Sequence, residues 1–170
     1  MIQACSSPER TKLFALLACL LIARRTPHVL RVAIDGVDGA GKTMFRDELA
    51  ANLQAPGQSV ISASVDGFHH PRAVRYRQGR DSPIGYYEDS YDYEALKRSL
   101  LDPLSPAGTL RYQTAVFDHR IDAPVTVPWL ALPASILLVD GIYLHRPELR
   151  HYWDWSMFLD VPFRESVARL

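Results

Sequence analysis

The chain has 170 residues, of which 48% are hydrophobic, and 19 Lys and Arg are balanced by 19 Asp and Glu. This size and composition fit one globular domain with a sizeable core and exclude a disordered chain. The formal net charge of zero argues against a nucleic-acid partner, because binding to a phosphate backbone needs an excess of clustered Lys and Arg. Cys5 and Cys19 build neither a disulfide framework nor a zinc site, so we expect a reducing, cytoplasmic location.

An apolar segment covers residues 13–23 and is followed by Arg24 and Arg25. It resembles the core of a secretory signal, but it is too short to span a bilayer, and the two arginines stand where a small-residue cleavage site is expected. Its leucines fall on one helical face, namely Leu13, Leu16, Leu17, Leu20 and Leu21. We therefore predict a packed helix in an N-terminal extension over residues 1–28, and no membrane partner.

From residue 29 onward, apolar runs typical of strands alternate with helical periodicity. We predict strands over 29–35, 59–65, 136–139 and 155–161, and helices over 43–53, over 93–101 with Asp92 as N-cap, and from 163 onward. Strands separated by helices imply right-handed crossovers and a parallel sheet covered by helices on both faces. The predicted fold class is α/β, in a single domain over 1–170 whose core is 29–170.

Two stretches between these elements lack a regular pattern, and we predict that both are covers or binding loops over the same edge of the sheet. Residues 102–133 contain five of the prolines, and residues 67–91 contain four arginines and four tyrosines. The arginines (Arg72, Arg75, Arg77 and Arg80) either clamp phosphate oxygens or form a solvated face. The tyrosines either stack on a planar base or pack in the core.

The first predicted strand leads directly into a sequence that fits the pattern G-x-x-x-x-G-K-[ST], namely Gly36-Val37-Asp38-Gly39-Ala40-Gly41-Lys42-Thr43. In this pattern the glycines let successive backbone N–H groups turn inward around a β-phosphate, the lysine neutralises the β and γ oxygens, and the threonine hydroxyl ligates Mg²⁺. The helix that follows adds the positive end of its dipole. The strand and helix on either side support a phosphate-binding loop over an ordinary glycine-rich turn.

Phosphoryl transfer from ATP is the reaction that this loop best predicts. The chain has no Asn-Lys-x-Asp segment to read guanine, which argues against a regulatory GTPase. Gly36, Gly39 and Gly41 do not have the G-x-G-x-x-G spacing of a dinucleotide-binding turn.

Two carboxylates follow predicted strands, at the sheet edge where open α/β folds bind ligands. Asp66 follows the second strand and Asp140 follows Ile136 to Val139. Phosphoryl transfer needs a group that orients the acceptor hydroxyl and takes its proton, and it needs Mg²⁺ held between the β and γ oxygens. We predict that Asp66 is the base and that Asp140 is the acid on the magnesium side, acting directly or through water. For each, a turn-capping role beside the next glycine is the alternative.

Other polar residues near the loop receive weaker predictions. Asp35 and Asp38 are expected to face away from the phosphates or to orient the loop. No pair of histidines has the i, i+4 spacing of a helical zinc site, so a second metal is not expected. His119, between Asp118 and Arg120, either touches substrate or belongs to a solvated cluster.

Five motifs, in order, resemble the uridine kinase-like group of P-loop kinases, which also includes pantothenate kinases and phosphoribulokinases. The motifs are Gly36 to Thr43, Val65-Asp66-Gly67-Phe68-His69, Tyr87-Glu88-Asp89-Ser90-Tyr91-Asp92, Leu138-Val139-Asp140-Gly141-Ile142 and Phe158-Leu159-Asp160-Val161. The resemblance runs from about Leu30 to the C-terminus. Asp66 and Phe68 match an Asp-x-Phe-Tyr element of uridine kinases. Asp66-Gly67-Phe68 together with Asp89 to Asp92 is more similar to the corresponding motifs of pantothenate kinases.

The resemblance implies a P-loop fold, ATP and Mg²⁺, and a small-molecule acceptor with a hydroxyl group. It implies that substrate contacts come from Phe68, His69, Tyr91, Tyr112, His119 and Arg120, although Gln113 to Ala115 depart from the segment that follows the tyrosine in the family. Family members continue into a helix and an arginine-bearing lid that closes on the phosphates. This chain ends soon after, so the resemblance implies that most of the lid is missing and that only Arg169 matches the lid arginines.

These expectations lead to three hypotheses on function. The first is phosphorylation of a primary hydroxyl, most simply uridine to its 5'-monophosphate. The second is a pantothenate or sugar-type acceptor, and the third is a protein that binds ATP without catalysis because its lid is absent. The sequence leaves the oligomeric state open, including a homo-oligomer.

Overall fold

The computed structural model describes residues 7–24, 26–126 and 128–169. Cys5 and Arg25, which entered the predictions above, lie outside these ranges. The α-helices are α1 (Pro8–Ala23), α2 (Lys42–Gln54), α3 (Arg72–Arg75), α4 (Pro83–Asp89), α5 (Tyr93–Leu96) and α6 (Phe163–Val167). The strands are β1 (Leu30–Gly36), β2 (Val60–Ser64), β3 (Arg111–Gln113), β4 (Phe117–Asp118), β5 (Ala123–Pro124), β6 (Pro128–Leu130), β7 (Ile136–Gly141) and β8 (Trp155–Leu159).

The centre of the fold is a four-stranded sheet in the order β2-β7-β1-β8. All of its pairs are parallel, which confirms the predicted α/β class. Every residue of β1 and β7 is buried, whereas exposed and partly buried residues alternate along β8 at one edge. The continuous apolar runs of the two middle strands follow from burial on both faces, which parallel sheets with crossover helices require.

Side chains alternate between two apolar layers along the middle strands, as the period of a strand requires. Val32 and Ile34 pack in a cluster with α1 and α2. Ala33 and Val139 point to the opposite face, into a cluster that includes Phe68 and residues of α5. The sheet is therefore covered on both faces, and the predicted helix at 43–53 is present as α2.

Helix α1 packs on α2 as predicted, through a face that includes Leu21 and Leu17 but is centred on Phe14. Its buried residues are Phe14, Ala18 and Leu21, whereas three of the five leucines predicted to face the core are exposed, namely Leu13, Leu16 and Leu20. The aromatic ring explains the rotation, because Phe14 fits against Phe45 with the ring centroids 4.8 Å apart and buries more area than a leucine. Ser7 caps the helix by accepting a hydrogen bond from the Arg10 backbone.

Among the described residues, no helix is long and apolar enough to cross a membrane.

The two stretches predicted to be irregular have short elements of their own. Residues 67–91 form α3 and α4, and residues 102–133 form two small antiparallel sheets, β3-β6 and β4-β5. The stretches contact each other beside the end of β2, where Val116 donates a backbone hydrogen bond of 2.8 Å to Gly67 and Arg72 donates one of 2.9 Å to Asp122. The two stretches therefore contact each other beside the end of β2, and their role as covers or binding loops over one sheet edge stays a prediction.

The predicted helix at 93–101 is α5 continued by a π-helical turn, Lys97–Leu101. Asp92 is its N-cap, as predicted, because its carboxylate accepts a 2.8 Å hydrogen bond from the Ala95 backbone. The predicted strand at 155–161 ends earlier, at Leu159, and a helix begins at Phe163.

Replacing Phe14 by alanine should lower the free energy of unfolding by about 3–5 kcal/mol, since it removes a fully buried ring and leaves a cavity between α1 and α2. The matched control is Leu16→Ala on the same helix, which should change it by less than about 0.5 kcal/mol because the leucine is exposed. Urea unfolding of both variants measures the difference. Equal effects would contradict the packing of α1 described above.

Candidate active site

The loop between β1 and α2 has the backbone shape that phosphate binding requires. Gly39 and Gly41 have φ values of 73° and 84°, in the left-handed region where side chains are strained. Gly39 also lies against α6, because a Cβ at this position would overlap the carbonyl oxygen of Ser166. Gly41 is the N-cap of α2, so the first backbone N–H groups of that helix are available to an anion in the loop.

Lys42 lies along this loop and closes it. Its ammonium donates a 2.9 Å hydrogen bond to the carbonyl of Val37 and lies 3.9 Å from a carboxylate oxygen of Asp38. The cation is therefore held over the inside of the turn, at the position from which it can neutralise phosphate oxygens.

Asp140 is buried where β7 ends, and it joins that strand to the start of α2. Its side chain accepts hydrogen bonds from the Thr43 hydroxyl at 2.7 Å and from Arg46 at 2.5 Å. Burial raises the pKa of the Asp140 carboxyl, against the lowering effects of Thr43 and Arg46. The predicted turn cap is not the role of this carboxylate, because its oxygens bond to α2.

The oxygens of Thr43 and Asp140 fit a magnesium ion. Mg²⁺ prefers oxygen ligands and keeps several water or phosphate oxygens, so one or two protein groups are enough to hold it beside a nucleotide. Within the described parts of the chain, no three His, Cys, Asp or Glu residues are grouped as a metal cluster.

Asp66 faces the loop from the turn that follows β2. It lies in the 3-10 turn Val65–Phe68, and its side chain is 58% exposed. The Tyr91 hydroxyl donates a 3.2 Å hydrogen bond to it. Burial, followed by the negative charge of Asp66, raises the pKa of Tyr91, so this phenol remains a donor at neutral pH.

One cavity of about 180 Å³ brings the predicted loop and carboxylates together. We call residues 67–91 and 102–133 the covering segments. The cavity is lined by residues of the loop, of the neighbouring strand ends and of the first covering segment: Asp38, Gly39, Gly41, Lys42, Thr43, Met44, Ser64, Asp66, Tyr91, Asp140, Gly141 and Ile142. A cation, a hydroxyl ligand and three carboxylates thus line one space.

The other loop acids have partners that explain their place beside a phosphate site. Asp35 is buried and accepts hydrogen bonds from the backbone of Gly36 at 2.7 Å and of His145 at 2.9 Å, so it faces away from the cavity. Asp38 accepts a hydrogen bond from the Tyr86 hydroxyl, and burial, followed by this bond, raises the pKa of that tyrosine. Asp38 lies at the cavity rim and links the loop to α4.

A second cavity, of about 380 Å³, adjoins the first at Asp66. It is lined by Asp66, Gly67, Ala115, Phe117, Asp118, His119, Arg120 and Val125. His69 lies beside it, with its ring 4.6 Å from that of His119 and stacked 4.4 Å from that of Tyr91. Arg120 is paired with Asp118 at 3.0 Å, and this hydrogen bond lowers the pKa of Asp118 to about 2.

Three of the residues that the resemblance assigned to ligands lie elsewhere. Phe68 is fully buried in the core, so the prediction that it contacts substrate is corrected to a packing role. Tyr112 lines a different groove, with Arg98 and Trp129, and packs against the core cluster that contains Phe68, so its contact with substrate stays a prediction. Arg169 donates to the Gly39 carbonyl at 3.4 Å from the outer side of the loop, where its role toward ATP stays a prediction.

The arginines of residues 67–91 have partners within the protein. Arg77 forms hydrogen bonds with the buried carboxylate of Asp89, which lower the pKa of that acid. Arg75 lies 3.7 Å from Asp122. Arg75 therefore joins the two irregular stretches, whereas Arg72, Arg77 and Arg80 are exposed, as in the predicted solvated face.

Sequence reasoning missed Arg46 and Tyr86. Arg46 follows Thr43 by three residues on α2, and this i, i+3 spacing could have indicated that both side chains reach the same carboxylate. Tyr86 contacts Asp38 across 48 positions, a pairing for which a single sequence carries no signal.

The chain was compared with known proteins. No family model matches it. It is 28% identical over 147 residues to a thymidylate kinase of Xanthomonas campestris, covering 85% of this chain and 62% of the relative. It is 29% identical over 160 residues to a pantothenate kinase of Bradyrhizobium sp., covering 86% of this chain and 48% of the relative. The chain thus spans about half to two-thirds of the length of these curated relatives.

A solved structure described as a possible uridine kinase from Bacillus stearothermophilus superposes with a TM-score of 0.79 and 25% identity, covering 95% of this chain and 86% of that one. The parallel sheet and the loop at 36–43 define a P-loop nucleotide-binding fold. Within that class, the likenesses in sequence and fold support the group of P-loop kinases, which confirms the resemblance at that level.

The contact between Gly39 and α6 predicts how the loop responds to an added methyl group. Gly39→Ala should lower the free energy of unfolding by the left-handed strain of about 1–2 kcal/mol plus about 1–3 kcal/mol for overlap with Ser166. Gly79→Ala is the matched control, since its φ is 97° and no described atom lies within 4 Å of the added group. Urea unfolding compares them, and equal losses would contradict the packing of the loop on α6.

Proposed function

We propose that the protein is an ATP-dependent kinase that phosphorylates a primary hydroxyl of a small molecule, with uridine as the acceptor and the 5'-monophosphate as the product. The observation that carries this proposal is the single cavity shared by Lys42, Thr43, Asp140 and Asp66. A phosphate-binding loop alone indicates which ligand is bound but not which reaction the ligand undergoes. The carboxylate across the cavity is what favours transfer to an acceptor.

The loop residues would hold the triphosphate of ATP. The backbone N–H groups at the start of α2 face the β-phosphate, and Lys42, released from the Val37 carbonyl, neutralises the β and γ oxygens as negative charge moves onto them. Thr43 and Asp140 would hold Mg²⁺, which when bound supplies charge neutralisation between those oxygens. Arg46 keeps Asp140 in place through the hydrogen bond described above.

Asp66 would act on the acceptor. Its carboxylate accepts the hydrogen bond of the acceptor hydroxyl, aligns the oxygen with the γ-phosphorus and takes the proton as the P–O bond forms. The Tyr91 hydroxyl fixes one carboxylate oxygen, which leaves the other free for the acceptor. The exposed position of Asp66, between the two cavities, is suited to a group that meets both substrates.

The second cavity supports an uncharged acceptor. Its walls near Asp66 are the backbone and small or apolar side chains of Gly67, Ala115, Phe117 and Val125. Arg120, the cation that lines it, is already paired with Asp118. An acceptor with a carboxylate or phosphate would need a free cation there, so a neutral nucleoside fits this chain better than pantothenate or a nucleotide.

The two alternative functions would use the same site. A pantothenate or sugar-type acceptor would use the same Asp66 and differ only in the second cavity. A protein that binds ATP in the loop at 36–43 without transferring its phosphate is the other alternative. A cytoplasmic location, where ATP is available, is part of the proposal.

Replacing the proposed base should slow transfer without preventing nucleotide binding. We expect Asp66→Asn to lower kcat by about 10²- to 10⁴-fold, the usual contribution of a general base, and to leave the affinity for Mg·ATP within about threefold. Asp81→Asn, at an exposed acid of the same covering segment, is the matched control and should retain wild-type kcat. Steady-state transfer of labelled phosphate and calorimetric titration with ATP measure the two quantities.

The acceptor is tested with a panel of uridine, cytidine, thymidine, thymidylate, pantothenate and fructose under the same conditions. We expect the largest kcat/KM for uridine. Equal background transfer to every compound would sink the uridine assignment, and ATP binding without single-turnover transfer would favour the non-catalytic alternative.

A further inference from the structure

His69 occupies a position beside Asp66 that substrate contact does not explain. Its ring lies mostly inside the protein, with 12% of the side chain exposed, and its Nε2 atom is 3.6 Å from a carboxylate oxygen of Asp66. The ring is stacked on Tyr91 and meets the edge of His119. It is thus held in one orientation, with one nitrogen toward the proposed base.

The other ring nitrogen determines which tautomer is present. Nδ1 lies 3.0 Å from the backbone carbonyl oxygen of Ser90. A carbonyl can only accept a hydrogen bond, so Nδ1 must carry the proton and donate it. In the neutral ring, Nε2 then has a free lone pair, directed toward the side of Asp66.

The surroundings keep this ring neutral. Burial is the largest effect and lowers the pKa of His69 below its ordinary value of 6.5. Electrostatic interactions with His119 and Arg75 lower it further, whereas the Ser90 carbonyl and the charge of Asp66 raise it. At neutral pH the ring is therefore an unprotonated base with a fixed tautomer.

We propose that His69 removes the proton from Asp66 during turnover and so acts as a positioning residue for the base. This proposal rests on the kinase function above. As the acceptor oxygen bonds to the γ-phosphorus and the bond from that phosphorus to ADP breaks, the hydroxyl proton moves to Asp66. It then passes from the carboxylic acid to Nε2 of His69, which becomes an imidazolium and restores the carboxylate. When products leave, Nε2 gives this proton to water in the emptied cavity.

The geometry allows this transfer. Nε2 of His69 has a lone pair in the neutral ring, so it can accept the proton that Asp66 takes from the acceptor hydroxyl. Tyr91 and His69 both lie beside the same carboxylate oxygen, Oδ1, whereas the acceptor proton arrives on Oδ2. Asp66 is 58% exposed, so its carboxyl group can turn about the Cβ–Cγ bond and present the protonated Oδ2 to Nε2. Tyr91 cannot take this role, because its hydroxyl already donates to Asp66.

The tautomer gives a test that does not depend on turnover. Nitrogen NMR of ¹⁵N-histidine-labelled protein at pH 8, assigned by comparison with His69→Asn, should show a protonated Nδ1 and an unprotonated Nε2 for His69. On acidification, the Nε2 resonance should change to that of an imidazolium at a pH below 6.5. A neutral ring protonated at Nε2 would overturn the proposal, because that atom would donate to Asp66 and could not accept.

Two substitutions separate orientation from proton transfer. In His69→Asn, the side-chain amide can donate to Ser90 in place of Nδ1 but offers no acceptor at the position of Nε2. In His69→Gln, an amide oxygen reaches that position but cannot hold a proton. We expect kcat to fall on the order of tenfold in both, less than for Asp66→Asn because Asp66 still aligns the hydroxyl.

The pH profile distinguishes a proton carrier from a structural residue. In the wild type, kcat should fall on the acid side as the His69 ring becomes protonated, and in both variants this fall should move to lower pH. Added imidazole should restore part of the kcat of His69→Ala. His70→Asn, at the neighbouring histidine, is the control and should keep the wild-type profile.

The outcomes are separable. Wild-type transfer with an unchanged pH profile in His69→Asn, or no rescue by imidazole, would overturn the relay and leave the kinase proposal standing. No transfer by the wild type to any acceptor would overturn the proposed function and the relay together.

Discussion

The structure depends on one buried carboxylate, Asp140, which ties the start of α2 to the end of β7. In the sheet it lies beside Ile34 of β1 and Ser64 of β2, so it stands where three strands end together. Its bonds to Thr43 and Arg46 align the helix with that edge. A buried charge is stable only while its partners are present, and this requirement holds the phosphate loop at a set distance from the residues that follow β2.

The covering segments position the residues that lie across the cavity from the phosphate loop. Gly67 has no room for a side chain, because a Cβ there would press on Ala115, and the Arg77–Asp89 pair holds the chain that leads to Tyr91. Asp66 and His69 are thus fixed between two segments distant in sequence. On the far side, α6 supports the loop through Gly39, which couples the end of the described chain to the nucleotide site.

Much of the fold and part of the candidate site could be predicted from the sequence, for physical reasons. The loop at 36–43 and the acids Asp66 and Asp140 were predictable because local spacing and strand ends determine their place. The buried face of α1 was not, because several helical faces carry apolar residues and only the contact with Phe45 decides between Phe14 and the leucines. Phe68 was assigned to substrate from a resemblance, and its complete burial cannot be read from a motif. The long-range partners of Asp38 and Asp89 depend on how the cover folds, which local patterns do not reveal.

In the proposed function, an ATP tail lies in the loop with Asp66 opposite its last phosphorus. A crystal structure with a non-hydrolysable ATP analogue and Mg²⁺ tests this most directly. We predict phosphate oxygens bound by the backbone N–H groups of residues 37–43, Lys42 moved from Val37 to those oxygens, and the Asp66 carboxylate facing the γ-phosphorus with room for one hydroxyl between them. A nucleotide bound elsewhere, or an Asp66 turned out of reach of the terminal phosphate, would contradict it.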